Sequence, residues 1–95
     1  MPAYIVATVR IIDPERFALY AKGIAGLSER FGGESVVRGA VCDVIEGDSV
    51  IGERVVVSRY PDIASARAYF ASPEYRAACV HRTGAAEVAM RLIEA

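Results

Sequence analysis

Between Glu34 and Tyr60 the chain alternates with period two in two successive runs, and in both runs each alternating set is apolar. Val37, Val41, Ile45, Val55 and Val57 fall on one set, and Val36, Ala40, Val44 and Val56 on the other. Runs of this kind, rich in β-branched residues, read as strands. Gly47 to Gly52, with glycine at both ends, supplies the turn, so Glu34–Glu46 and Glu53–Tyr60 form a hairpin. An antiparallel sheet with one face in water carries a polar outer set, and a monomer rarely leaves several hundred Å² of contiguous apolar surface bare. A hairpin apolar on both faces therefore asks for two covers. Helices can supply one. The simplest second cover is the same face of another copy, and the alternative is a hairpin that curls over its own sheet.

The elements on either side fit this requirement. Tyr4 to Ile11 alternates through Tyr4, Val6 and Thr8 on one side and Ile5, Ala7, Val9 and Ile11 on the other, a strand with one wholly apolar face. Asp13-Pro14-Glu15 then opens a helix: Asp13 accepts free amide hydrogens of the first turn, Pro14 needs no donor there, and Glu15 suits the positive end of the dipole. Phe17, Ile24, Leu27 and Phe31 make one apolar stripe, and Gly32-Gly33 ends the helix, which the pattern predicts over 14–31. Asp62 caps a second helix carrying Ile63, Ala66, Tyr69 and Phe70. Ser72-Pro73-Glu74 repeats the cap, and Gly84 closes that piece before a last strand, Ala86 to Ile93. The order β-α-β-β-α-β is the ferredoxin-like arrangement, an α+β fold with a four-stranded antiparallel sheet and its helices on one face. Residues 1–95 make a single domain, since a chain of this length has no room for a second core.

Charge and composition remove several classes of function. Eleven basic against twelve acidic residues, without a basic block, give little attraction to a polyanion or to an anionic membrane surface. No apolar stretch approaches the roughly 20 residues that span a bilayer. Met1-Pro2-Ala3-Tyr4 lacks the basic start and apolar run of a signal peptide, so a cytoplasmic chain is expected, with Cys42 and Cys79 as reduced thiols. No phosphate loop, HExxH, nucleophile elbow or zinc spacing occurs. The expectation is a protein without metal or cofactor. Haem with His81 as its ligand is the weakest of the readings.

What chemistry remains rests on single residues. Arg38 stands in an otherwise apolar alternating set. A guanidinium there needs an acid, which Glu34, Glu46 or Glu53 could be, or an anionic ligand. Arg82 follows the apolar run 77–80 and either points into the groove between helix and sheet or pairs with Glu74 or Glu87, whereas Arg54 at a strand start reads as solvated. His81, the one histidine, has the intrinsic pKa of a general base. Tyr4, Tyr20, Tyr60, Tyr69 and Tyr75 pack as core residues with satisfied hydroxyls, or several of them line a cleft for a small aromatic or carboxylated metabolite. On that second reading Arg38, Tyr20 and Arg82 bind substrate, Tyr69 orients or protonates it, and Glu46 or His81 moves a proton. The competing reading is a structural or accessory homodimer without a pocket.

Asp13-Pro14 with Phe17 and Tyr20, Gly32-Gly33, Arg38-Gly39, Glu46-Gly47, Glu53-Arg54-Val55-Val56, Tyr60-Pro61-Asp62, 66–70, Ser72-Pro73-Glu74-Tyr75 and Arg82 together resemble the bacterial domain-of-unknown-function family numbered thirteen-thirty. The resemblance covers nearly the whole chain. It implies a dimeric α+β barrel, two four-stranded sheets packed face to face, and supplies no activity. The wider superfamily includes cofactor-free monooxygenases, haem-degrading enzymes and muconolactone-type isomerases, a likeness of fold only. Arg38, Tyr20, Tyr69 and Arg82 fall on positions that the family pattern marks. His81 does not, Ala40 stands where a second glycine often follows Arg38-Gly39, and the hairpin lacks the pattern's tryptophan.

Overall fold

Nine residues of near-perfect alternation begin the fold. In β1 (Ala3–Ile11) the residues Ala3, Ile5, Ala7 and Val9 are buried while Tyr4, Val6 and Thr8 between them are half-exposed. A computed structural model describes residues 1–95. After β1 come α1 (Pro14–Gly23), α2 (Leu27–Arg30), β2 (Glu34–Ala40), β3 (Arg54–Tyr60), α3 (Ile63–Ala71), α4 (Pro73–Arg82) and β4 (Ala86–Glu94). The four strands form one sheet in the order β2-β3-β1-β4, every neighbour antiparallel. This is the ferredoxin-like α+β fold, with the helices on one face.

Pairing register assigns each residue to a face, because residues directly opposite share a side of the sheet. Arg38 lies opposite Val56, Val56 opposite Ala7, and Ala7 opposite Met90, one row across all four strands on the helix side. The open side carries Val37, Val57, Val55, Val6, Thr8, Ala89 and Ile93. Helix-side residues meet a core that is half tyrosine: Tyr20, Tyr60, Tyr69 and Tyr75 with Ile5, Leu27, Ala66 and Ala78.

All three side-chain caps anticipated from sequence are in place. Asp13 accepts from the Arg16 amide at 3.2 Å, Asp62 from Ser65 at 2.7 Å and Ser72 from Tyr75 at 3.2 Å. Asp62 is held below the usual carboxylate range by the bonds from Ser65. Two expected boundaries are corrected. The helix over 14–31 is two pieces, because Gly26 adopts a left-handed conformation (φ 73°) that turns the chain between α1 and α2. The strand over 34–46 ends at Ala40, and 41–53 is a loop in which only Val41 still pairs, donating to the Glu53 carbonyl at 2.8 Å and accepting from Gly52 at 2.8 Å. Val44 and Ile45 therefore belong to neither sheet face. A register shift between Ser35 and Val37 also places Val36 at a bulge.

Candidate functional site

A cleft of about 400 Å³ opens between the helices and the sheet. Its floor is the small-residue middle of the row just described, Val56 and Ala7, with Ile5 and Val9 beside them. Phe17 and Tyr20 from α1, Tyr69 and Phe70 from α3, and Tyr75 from α4 form the aromatic wall. These rings pack edge to face or tilted: Tyr69 and Tyr75 have centroids 5.0 Å apart, and Phe70 and Tyr75 4.9 Å. Arg38 and Arg54 stand at the β2–β3 side of the same space, which Glu29 from α2 also lines.

The hydroxyls divide into two groups. Tyr60, 1 % exposed, exchanges a 2.8 Å bond with Ser28 and is fully engaged. Behind the wall, Arg82 Nη1 donates to the Tyr75 oxygen at 3.0 Å and to the Tyr20 oxygen at 3.3 Å, its guanidinium carbon 5.1 Å from the Tyr20 ring centroid. Burial works against the Arg82 charge, but the Tyr75 and Tyr20 oxygens outweigh it and hold the group protonated. Burial also pushes the Tyr69 and Tyr75 phenols well above their ordinary range, the Tyr20 hydrogen bond adding to the effect at Tyr75. Burial thus favours the neutral, hydrogen-bond-donating form of both phenols.

Of the six residues singled out as site candidates, the cleft joins Arg38, Tyr20 and Tyr69. Arg82 does not line it and pairs with neither Glu74 nor Glu87; it backs two of the tyrosines instead. Glu46 lies exposed in the loop 41–53 and His81 exposed on α4, and neither borders the cleft. Arg38 is corrected in one respect. It is exposed rather than buried and has no acid partner, since Glu53 bonds Arg10 at 2.7 Å. Among the lining residues without an individual role in the sequence pattern are Arg54, Glu29 and Tyr75, the last named there only with the other tyrosines. Period-two spacing carries Arg54 onto the face of Val56, Ser58 and Tyr60, and a seven-residue helical spacing stacks Tyr75 above Arg82; both signals were present.

Residues 2–95 match the family described as domain of unknown function DUF1330. The chain belongs to this family. No curated protein matches it. A DUF1330 chain of this shape has counterparts among solved structures. A protein of unknown function from Rhodopseudomonas palustris superposes with a TM-score of 0.79 at 25% identity, over 99% of this chain and 82% of that one. A dimeric ferredoxin-like protein of unknown function from Jannaschia gives 0.73 at 13% identity, with both chains fully covered. SnoaB, a cofactor-independent oxygenase from Streptomyces nogalater, gives 0.68 at 14% identity over 99% of this chain and 92% of its own. The last two establish a shared fold. The expected family and fold are thus both found, and no helix is long and apolar enough to cross a membrane.

Proposed function

We propose that the chain is a homodimer through its open sheet face, and that each copy binds a small carboxylated or phenolic metabolite in the cleft. The observation that carries the binding reading is a pair of guanidiniums, Arg38 and Arg54, that share an aromatic-walled cleft and have no carboxylate partner. Unpaired arginines at an apolar surface suit a planar anion, which they hold by charge-assisted bonds while the rings of Phe17, Tyr69 and Phe70 cover its apolar body. Tyr69, kept neutral by burial, donates to an oxygen of the bound molecule. The same groups serve a cofactor-independent enzyme of the oxygenase or isomerase kind, with Tyr69 as proton donor. Glu29 is then the carboxylate within the cleft, in place of Glu46 or His81.

Thermal-shift and calorimetric titrations with benzoate, 4-hydroxybenzoate and 2-naphthoate test the binding reading against Arg38→Ala and Arg54→Ala. A ligand at ten times its Kd adds about 1.4 kcal/mol, and a domain of this size moves roughly 4–8 °C per kcal/mol. The expected result is a shift of several degrees that shrinks in both variants while their unliganded melting stays near wild type. Absence of any shift across the acids overturns the reading and leaves an accessory homodimer.

A further inference from the structure

We infer that the inner end of the cleft is an oxyanion site, so that the ligand of this cleft is a flat molecule with an anionic acceptor at each end, an aromatic dicarboxylate or an oxo-acid of similar length. The inference rests on the cleft-binding reading above and names its ligand class.

Arg82 occupies an acceptor position on both the Tyr20 and the Tyr75 oxygen, which leaves each phenol with a hydrogen to place elsewhere. The Tyr20 hydrogen has only the Tyr75 oxygen at 3.5 Å, and the Tyr75 hydrogen only the thioether of Met90 at 3.7 Å, a weak acceptor. Tyr69 is 6 % exposed and its hydroxyl bonds to nothing in the chain. No buried side-chain polar atom lacks a partner, so that hydroxyl keeps its access to the space that Tyr69 lines. Glu29, the carboxylate among the lining residues, bonds none of the three phenols. Arg82 thus backs two of the phenols, whose hydrogens meet only weak acceptors, and Tyr69 adds a third donor without a partner in the chain. An anionic oxygen is a stronger acceptor than a thioether or a second phenol, so a ligand that brings one to these donors improves on the bonds they now make.

The opposite end is fixed by the sheet. Arg38 on β2 and Met90 on β4 close the two ends of the row through Val56 and Ala7. Three strand spacings separate them, roughly 14 Å between backbones. After the side chains are allowed for, a fused two-ring acid spans the floor from guanidinium to phenols.

Three probes differing in one substituent test this: naphthalene-2,6-dicarboxylate, 2-naphthoate and 6-amino-2-naphthoate, titrated calorimetrically into the wild-type protein. The dicarboxylate is expected to bind about tenfold or more tighter than 2-naphthoate, as suits hydrogen bonds to a charged group, and the amine to gain nothing. In Tyr69→Phe and Tyr75→Phe, which keep the rings, the ratio of the first two affinities is expected to fall toward one. Arg38→Ala should weaken both acids together. Equal binding of diacid and monoacid, a preference for the amine, or a ratio unmoved by both Phe variants overturns the oxyanion site while the cleft reading stands. If none of the three binds, both readings fall.

Discussion

Gly33 is buried against Ser28 and the Tyr60 ring. Its amide donates to the Ser28 carbonyl at 2.9 Å, and a Cβ added there would lie 2.9 Å from the Tyr60 ring and 3.0 Å from that carbonyl. Neither neighbour can retreat, because Tyr60 is buried and Ser28 holds its hydroxyl. Gly33→Ala is expected to cost about 1–3 kcal/mol, the range of an overpacked core, read as a lower denaturation midpoint at unchanged slope. The phenols give a second prediction at this scale. Tyr60, Tyr69 and Tyr75 are all pushed up by burial, so their contribution is complete below the pKa of an exposed tyrosine, about 10, and is lost as pH rises past it. Alkaline unfolding should therefore begin near that pH, with tyrosinate absorbance at 295 nm appearing together with loss of near-ultraviolet dichroism. Tyr75→Phe should move the transition upward. Ionisation of all the tyrosines before any structural change would contradict it.

At the scale of elements, the sequence made the termini of helices more legible than their interiors. Asp13, Asp62 and Ser72 are local signals, each bonding an amide three residues on, and each stands where the pattern put it. The break at Gly26 was hidden because Phe17, Ile24, Leu27 and Phe31 keep helical spacing across it, and all four do pack on the core. Strand length failed for a related reason: Val41, Val44 and Ile45 continue the alternation into a loop that leaves Ile45 89 % exposed. Composition records what a segment is able to bury, whereas pairing partners decide what it does bury. The site was legible in the same partial way. Arg38, Tyr20 and Tyr69 each turn toward the cleft through the period of their own element, whereas the assignment of Glu46 and His81 needed knowledge of where a loop and a helix end would lie. Ser72 joins α3 to α4 through two bonds, its hydroxyl donating to the Tyr69 carbonyl at 2.7 Å and accepting from the Tyr75 amide. Ser72→Ala is expected to cost about 1–2 kcal/mol in thermal melting, since it removes a cap and one of the two donors on the Tyr69 carbonyl, which keeps the Ser72 amide at 3.2 Å. A change under a few tenths would mean that the α3–α4 corner is set by ring packing instead.

For the molecule as a whole, the proposed homodimer rests on the open sheet face. Only 14 of the 95 residues are buried in the single chain, a thin core for a sequence that is 54% hydrophobic. Part of the missing burial lies on this face, where Val37 and Ile93 are 48 % and 45 % exposed beside half-buried Val6, Val55 and Val57; other exposed apolar side chains, such as Ile45, Ile51 and Val80, lie in the 41–53 loop and on α4. Arg10, Arg59, Arg91, Glu34 and Glu87 share the open sheet face, charges of both signs. A two-fold axis through the centre brings each patch against its own image, so an apolar middle with a mixed rim is self-complementary as one of a single sign is not. Val57→Glu tests this directly, because one substitution places two unpaired carboxylates in the symmetric interface while facing water in a monomer. Sedimentation should give a wild-type dimer at micromolar concentration whose melting temperature rises with concentration, and a folded monomer for Val57→Glu whose melting temperature does not. A wild-type monomer with concentration-independent melting would show that the valine face is left to water or to a different partner. A variant that remains a dimer would move the interface to some other face of the molecule, since no pairing through the sheet can accommodate that charge at its centre.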